Sequence, residues 1–375
     1  MPQITPHYFE NLLQSPCSDL LAKAMDNGKI PVGYTCSYIP EVLLSVGDLV
    51  PVRVHAPGVY GTEMADIYLS SVTCSYIRSL LEFALDDQYE FLEGWVFAAS
   101  CDHLRRLYDN MDYLLQPDFI HILDVPHRIG DAALAWYTHE LGELTRKLAG
   151  HFHADFSEAA LADAIRGHNE FAALVSEIGD LRKASHPPIS GAEFHALMMA
   201  AQTSPKTLLT DSVRRFKDAL CQKTPHRDYR ARLLVAGGQI HEPAYIRAIE
   251  SVGGLVVADH FCTGSIPGLA PIAETDPPLD AIAAHYLGRT ACPRMMENFN
   301  DRVDAILASA SAYNVDGVIL EHIKFCDIWG IEAAPIADRI KAAGIPVLNL
   351  EREYSTTGEG QLKTRVQAFI ESIGK

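Results

Sequence analysis

Four of the eight cysteines in the chain follow a short apolar run that is typical of a buried strand. They are Cys36, Cys101, Cys262 and Cys326, at the ends of IPVGYTC, GWVFAASC, GGLVVADHFC and GVILEHIKFC. Cysteine thiolates act as nucleophiles or bind soft metals and iron–sulfur clusters. Free cysteine is also among the most buried residue types, so burial and ligation both stay open for any one of these positions.

The other four cysteines fall into two pairs. Cys74 opens the predicted helix CSYIRSLLEF, where a thiolate gains from the N-terminal peptide dipoles, and Cys292 lies in the loop GRTACPRM. Cys17 and Cys221 lie in helical segments, and we interpret them as structural. No two cysteines form a C-x-x-C, so thioredoxin chemistry, zinc ribbons and ferredoxin-type runs lack support. A shared site would have to gather dispersed thiolates, as iron–sulfur clusters and soft metals do.

Alternating strand and helix patterns predict the elements that position these cysteines. Residues 29–129 and 229–375 each alternate in this way, which is typical of βαβ units and a parallel sheet. Residues 1–28 and 130–228 have helical patterns without strands, and SYIPEVLLSVG, after Cys36, is predicted to be a helix. The sequence therefore predicts an α/β fold: two Rossmann-like (flavodoxin-like) doubly wound parallel-sheet domains with a helical segment between them. Such sheets bind ligands at the carboxyl ends of their strands, where the four strand-end cysteines lie.

Composition and missing motifs exclude several functions. A net charge of −17 argues against a general nucleic-acid binder, which needs a basic face. No apolar run reaches the roughly 18 residues of a membrane span, and MPQITPHYFENLLQSP lacks the pattern of a secretory signal, so we expect a cytoplasmic protein with reduced thiols. The chain has no G-x-x-x-x-G-K-[ST], G-x-G-x-x-G or G-x-S-x-G motif. Any hydrolysis of ATP must therefore occur on another protein.

Seven segments together resemble one enzyme superfamily over the chain from about residue 29 to its end. They are GYTCSYIPEVLLSVGDLVPVRV, TCSYIRSLLEF, SCDHLRRLY, HFCTGS, ACPRMMEN, KFCDIW and EREYSTTGEGQLKTRVQAFIE. In matching order they resemble the 2-hydroxyacyl-CoA dehydratase and benzoyl-CoA reductase superfamily, D-component type. The last segment is the most specific of them.

This resemblance implies a reductively activated lyase or oxidoreductase that acts on an acyl-CoA. Family members hold a [4Fe-4S] cluster between the two domains through three cysteines, which match Cys74, Cys101 and Cys326. A separate ATP-dependent activator with its own iron–sulfur cluster supplies the electron, and the chain pairs with a paralogous subunit or with itself. Ser37, Tyr38 and Glu41, beside the first strand end, are candidates for proton transfer. Residues that cap helices and charged residues of solvent-exposed loops have the same sequence pattern, so a structural role for these three residues also stays open.

Three further cysteines, Cys36, Cys262 and Cys292, leave a second interpretation open. The six-cysteine set resembles the double-cubane cluster proteins, a homodimeric branch that carries an [8Fe-9S] cluster and reduces small molecules. Equivalents of Cys262 and Cys292 also occur in some acyl-CoA members, so this pattern does not decide between the two. A third interpretation is a non-catalytic partner subunit or electron carrier.

Overall fold

Two parallel sheets of four strands form the two halves of the chain. The structure is a computed structural model that describes residues 4–265, 269–355 and 358–374. The first sheet has the order β2-β1-β3-β4 and consists of β1 (Ile30–Tyr34), β2 (Leu49–Arg53), β3 (Gly94–Ala98) and β4 (Ile120–Leu123). The second has the order β6-β5-β7-β8 and consists of β5 (Ala231–Gly237), β6 (Gly254–Phe261), β7 (Gly317–Ile323) and β8 (Val347–Arg352). The predicted α/β fold is confirmed.

Helices surround both sheets and fill the segment between them. In the first half these are α1 (Pro6–Asn11), α2 (Asp19–Asp26), α3 (Ala65–Tyr68), α4 (Ser75–Leu85) and α5 (Asp102–Leu115). The intervening segment contains α6 (Asp131–Phe152), α7 (Glu158–Asp180), α8 (Gly191–Thr203) and α9 (Lys206–Leu220). The second half has α10 (Pro243–Glu250), α11 (Pro278–Leu287), α12 (Phe299–Ala312), α13 (Asp327–Ala342) and α14 (Glu359–Ser372). No helix in the described ranges is both long and apolar enough to cross a bilayer.

Helix α8 joins the two halves. Every residue of α8 except Glu193 is buried, and the helix packs against β2 of the first sheet and β6 of the second. A helix that is apolar on all sides is stable only when it is enclosed by other elements. Helix α8 therefore serves as a shared core element for both sheets.

The predicted helix in SYIPEVLLSVG is wrong. The structure has only a three-residue 3-10 helix there, Leu43–Ser45. Ile39, Val42 and both leucines of the segment are buried, so the segment lacks the solvent-exposed face of an amphipathic surface helix. The Tyr137 hydroxyl also donates a hydrogen bond to the carbonyl of Tyr38, which fixes the segment as a buried loop.

The carboxyl ends of the two sheets face each other. The hydroxyl of Ser37, after β1, donates to the carbonyl of Cys262, after β6, at 3.0 Å. The hydroxyl of Tyr354, after β8, accepts from the amide of Ala56, after β2, at 3.1 Å. In each sheet the chain reverses its direction of winding beside the first strand, between β1 and β3 or between β5 and β7, which is where open sheets form a crevice. The two crevices therefore lie against each other at the junction.

Candidate metal centre

Three cysteines lie at the residue position directly before a helix. Cys74 is the N-cap of α4, Cys101 that of α5 and Cys326 that of α13. The Cys101 Sγ accepts a hydrogen bond from the amide of Leu104 at 3.4 Å. The backbone amide of Ile77 acts in the same way on the Cys74 thiol, and the amide of Trp329 acts on the Cys326 thiol. Each of these amides by itself lowers the pKa of its cysteine. Three helix N-termini therefore favour negative charge at these sulfurs.

Burial acts in the opposite direction on the same three thiols. It raises the pKa of Cys101 to about 12 and that of Cys326 to about 11, against the lowering by the helix amides. The pKa of Cys74, which is 7% exposed, is raised further for the same reason. These thiols are protonated at neutral pH unless a cation binds, because a metal ion deprotonates a thiol that coordinates it.

Cys36, Cys262 and Cys292 form a second group at the same junction. Cys262 and Cys292 are joined by a thiol hydrogen bond, which raises the pKa of Cys262 well above its ordinary value. The same bond lowers the pKa of Cys292 to about 7, against burial and with help from the amide and guanidinium of Arg294. The charge of Cys36 acts on Cys262, so the third thiol lies beside this pair.

The two groups of cysteines are neighbours. The charge of Cys101 interacts with those of Cys326, Cys36 and Cys292, so this thiol links both groups. All eight cysteines are free. Cys17, next to the apolar cluster of α2 and β2, and Cys221, exposed at the end of α9, lie elsewhere. The structure therefore brings together the six cysteines that the sequence singled out and leaves the other two apart.

The described side chains do not form a ready site for a single metal ion. No group of three or more histidine, cysteine, aspartate or glutamate side chains in the described residues could hold one metal ion. A single zinc ion needs every sulfur about 2.3 Å from one point. An iron–sulfur cluster distributes its thiolates over several irons, so its cysteines stand further apart. The six neighbouring thiols, without close convergence on one point, are the donor set that a cluster at this junction would use.

An apolar layer encloses the thiols. Cys36, Cys74, Cys101 and Cys326 pack in one buried cluster with Tyr76, Ile323 and Tyr354, which come from both halves of the chain. Tyr76 and Tyr354 have ring centroids 5.3 Å apart. This cluster keeps water away from one side of the site and lowers the local dielectric constant, which strengthens the charge interactions there.

Buried arginines hold the backbone next to several of the cysteines. Arg53 is fully buried, and its Nη1 donates to the Cys262 carbonyl at 3.0 Å. The Arg294 Nε donates to the carbonyl of Ser100, which precedes Cys101, at 2.9 Å. Arg302 Nη1 donates to the carbonyl of Cys292 at 2.9 Å. These arginines were not predicted from the sequence, where the only signal was a charged side chain within the apolar strand LVPVR.

The three residues predicted for proton transfer have different surroundings. Ser37 accepts from Arg53 at 3.0 Å and donates to the Cys262 carbonyl, so it lies beside the thiols. The Tyr38 hydroxyl donates to the carbonyl of Arg289 at 2.6 Å, and burial together with Cys292 raises its pKa well above the ordinary value. The contacts of Glu41 are with Tyr34, His168 and Lys206, outside the cysteine group. Their role in proton transfer stays a prediction.

Comparisons with known proteins identify a family and several relatives of the chain. A family model described as 2-hydroxyglutaryl-CoA dehydratase, D-component, matches residues 36–373. The chain is 28% identical to YjiM of Escherichia coli (strain K12), provisionally named a dehydratase subunit, over 91% of each protein. It is 22% identical to the (R)-phenyllactyl-CoA dehydratase beta subunit of Clostridium sporogenes, over 97% of each. It is 21% identical to a subunit of benzoyl-CoA reductase from Thauera aromatica, over 94% of this chain and 92% of that protein.

The family match spans all six junction cysteines, and the similarity to these relatives extends over nearly the whole length of both proteins. The resemblance inferred from the sequence segments is confirmed, and the chain belongs to the 2-hydroxyglutaryl-CoA dehydratase D-component family.

Proposed function

We propose that the protein is the iron–sulfur subunit of an enzyme of the 2-hydroxyacyl-CoA dehydratase and benzoyl-CoA reductase type. The observation that carries this proposal is the meeting of six cysteines at the facing crevices of two parallel sheets. The relatives are named as subunits of enzymes that act on acyl-CoA thioesters, which supports the same substrate class here. The proposed reaction is the dehydration or reduction of an acyl-CoA after transfer of one low-potential electron.

Cys74, Cys101 and Cys326 are the proposed ligands of a [4Fe-4S] cluster. Such a cluster supplies one-electron chemistry next to the bound substrate. Each of the three thiols must lose its proton to bind iron, and the helix N-termini lower the cost of that step. Tyr38 and Ser37 keep protonated hydroxyls at the junction, where they orient the backbone of both halves.

The electron has to come from another protein. The chain has no phosphate-binding loop for ATP, so we propose a separate ATP-dependent activator with its own iron–sulfur cluster as the donor. The relatives carry subunit names, and a paralogous subunit or a second copy of this chain is the proposed partner.

A second candidate is a homodimeric double-cubane protein that holds an [8Fe-9S] cluster and reduces small molecules. The observation that favours it is the position of Cys36, Cys262 and Cys292, which lie beside the first three thiols and come from both halves of the chain. A single cubane leaves these three cysteines without a ligand role. The number of irons per chain separates the two candidates.

Iron and acid-labile sulfide should be measured on protein purified and reconstituted without oxygen. About four irons per chain support the single cubane, and about eight support the double cubane. Serine at Cys74, Cys101 and Cys326 together should abolish iron binding if the single cubane is correct and halve it if the double cubane is correct, because the variant removes the thiolate ligands of one cubane. Serine at Cys17 and Cys221, which lie outside the site, is the matched control and should leave the iron content unchanged. Absence of iron in the wild-type protein would contradict both candidates.

The substrate class is tested separately with the iron-loaded protein. The protein, an activator and ATP should be supplied with a 2-hydroxyacyl-CoA or an aromatic acyl-CoA, with and without a paralogous subunit. Turnover of the thioester supports the first candidate. Serine at Cys36, Cys262 and Cys292 together should halve the iron content only if the second candidate is correct.

A further inference from the structure

Two buried arginines at the cysteine site have no carboxylate partner among the residues that the structure describes. Arg53 is 0% exposed and Arg294 is 5% exposed. The side chain of Arg53 donates to the Ser37 hydroxyl, the Cys262 carbonyl and two glutamine side-chain oxygens, all of which are neutral. The side chain of Arg294 donates only to backbone carbonyls, those of Ala99, Ser100, Val125 and Pro126. Neither forms an ion pair with any carboxylate in the described part of the chain.

Two other buried arginines are paired with carboxylates, whereas the side chain of Arg232, also buried, donates to the carbonyls of Arg182, Ala184, Ser185 and Tyr313. Arg302 is paired with Glu332 at 2.7 Å and Arg182 with Asp259 at 2.8 Å. Arg352, whose side chain is 14% exposed, is paired with Glu321 at 2.7 Å. A buried charge without a partner is strongly destabilising, so the fold normally avoids it. Within the residues that the structure describes, Arg53 and Arg294 are held by neutral oxygens and keep their positive charge beside the cysteines, where an anion bound by the thiols would balance it.

Both unpaired arginines face the cysteine group. The Arg53 Nη1 reaches the Cys262 carbonyl at 3.0 Å, and its positive charge acts on the Cys262 thiol. Arg294 follows Cys292 by two residues and its charge acts on that thiol, while its Nε holds the residue before Cys101. Arg53 thus reaches the site from β2, the edge strand of the first half, and Arg294 reaches it from the loop after Cys292 in the second half. The thiols of Cys262 and Cys292 are the ionisable groups of the site on which these two charges act.

We propose that Arg53 and Arg294 are positioning residues whose fixed charges balance the anionic cluster held by the cysteines and raise its reduction potential. This inference rests on the proposed function, because it needs a cluster at the six cysteines. Reduction adds one negative charge to the site. A fixed cation in a region of low dielectric constant stabilises the reduced form more than the oxidised form, and the potential becomes less negative. The electron itself comes from the activator.

The test compares variants that remove the charge with variants that keep it. R53Q and R294Q remove the charge but retain amide donors, whereas R53K and R294K keep the charge and lose the guanidinium geometry. R106Q removes an exposed arginine of α5 and is the control for net charge, since water and salt screen it. The midpoint potential of each iron-loaded protein is measured by an anaerobic redox titration followed by EPR and absorbance.

We expect the glutamine variants to have a more negative midpoint potential. At a fixed potential the ratio of oxidised to reduced cluster should rise at least tenfold, which corresponds to about 59 mV for one electron. The lysine variants should shift by less than half of this, and R106Q should match the wild type. Glutamine variants with full iron content and an unchanged midpoint would overturn the inference. Equal shifts in the lysine and glutamine variants would also overturn it, because they would indicate a purely structural role.

Loss of iron from R53Q or R294Q is resolved by measuring the iron content of R53K and R294K. If the charge balances the cluster, the lysine variants retain more iron than the glutamine variants, because an ammonium group keeps the positive charge at the site. Equal loss of iron from the lysine and glutamine variants contradicts the inference, because it indicates that only the guanidinium hydrogen bonds matter. Failure of the wild type to bind iron contradicts the proposed function, whereas iron binding with unchanged midpoints contradicts only the role of the arginines.

Discussion

The carboxylate of Glu41 meets three groups in the interior of the protein. Its Oε1 is paired with the ammonium of Lys206 and lies 3.5 Å from Nδ1 of His168, and its Oε2 accepts from the Tyr34 hydroxyl at 3.2 Å. Burial raises the pKa of Glu41, but Lys206 and His168 lower it by more, so the net pKa is well below the usual value. The group is ionised and joins the loop after β1 to α7 and α9. These contacts are those of a buried ion pair that stabilises the fold.

Removal of the lysine should therefore destabilise the protein strongly. K206M leaves the Glu41 carboxylate buried without its cation, which costs roughly 3 kcal/mol of unfolding free energy. Urea unfolding at pH 7 measures this difference. The matched control is K217M, because Lys217 is paired with Glu177 at the surface, where the two side chains are 36% and 57% exposed. That pair contributes less than about 1 kcal/mol. Equal stability of K206M and K217M would contradict the assignment of Glu41 to a structural pair.

The cysteines were predictable from the sequence at the residue scale, whereas the arginines were not. Cys101 and Cys326 are identified by the apolar runs that precede them and by the rule that sites lie at strand ends. Arg53 lies in a strand pattern where a charged side chain indicates a solvent-exposed position. Its acceptors Gln202 and Cys262 are 149 and 209 residues away along the chain, so no local pattern could indicate them. Such a contact is determined only by the packing of the two halves.

The elements were predictable where the local pattern had one meaning. The five residues of β3, GWVFA, are all buried, and such a run between helical patterns indicates a parallel strand. The prediction of a helix in segment 37–47 failed because apolar residues at helical spacing also occur in buried loops. The conformation of this loop depends on a contact with Tyr137 of α6. The strand order and the facing of the two crevices depend on contacts between distant elements. The sequence could therefore predict the fold class, but not the strand order or the arrangement of the two crevices.

Two glycines in helices should respond in opposite ways to the same substitution. Gly191 begins α8, and a Cβ there would lie 2.5 Å from the carbonyl oxygen of Val256 in β6, so G191A should destabilise the protein by about 1–3 kcal/mol. Gly167 lies on the exposed side of α7 with no atom within 4 Å of such a Cβ, so G167A should stabilise the protein by about 0.5–1 kcal/mol. Thermal unfolding of both variants measures the signs. A stabilising G191A would show that α8 does not pack tightly between the sheets.

At the scale of the whole molecule, histidines are buried at the junction of the two halves. His55 follows β2 and His241 follows β5, and their rings stack with centroids 6.3 Å apart. His195 lies on α8, the helix that contacts both sheets. Burial lowers the pKa of His55 and of His195 to about 4, and that of His241 further, where Arg53 adds to the effect. The junction is therefore built around neutral imidazoles.

Acid should weaken this junction over a defined range of pH. The pKa of a lowered histidine is higher in the unfolded chain, about 6.5, so the unfolded state binds the proton first. The contribution of these histidines to the unfolding free energy is fully present above about pH 6.5 and decreases as the pH falls from about 6.5 through about 4. A histidine that is protonated in the unfolded chain and neutral in the folded protein lowers the unfolding free energy by about 1.4 kcal/mol for each pH unit in that range. The unfolding free energy of the iron-free protein should therefore fall steeply between pH 6.5 and pH 5.

The comparison that tests this origin uses H55Q and H195Q, singly and together, in urea unfolding at pH 7, 6 and 5. Each substitution removes one of the groups that the unfolded chain protonates, so each should flatten the dependence on pH, and the double variant should flatten it most. H7Q changes a histidine whose side chain is 76% exposed and serves as the control, with the slope of the wild type. If H55Q and H195Q keep the full wild-type slope, the acid sensitivity arises elsewhere, and the neutral imidazoles are not what holds the two halves together.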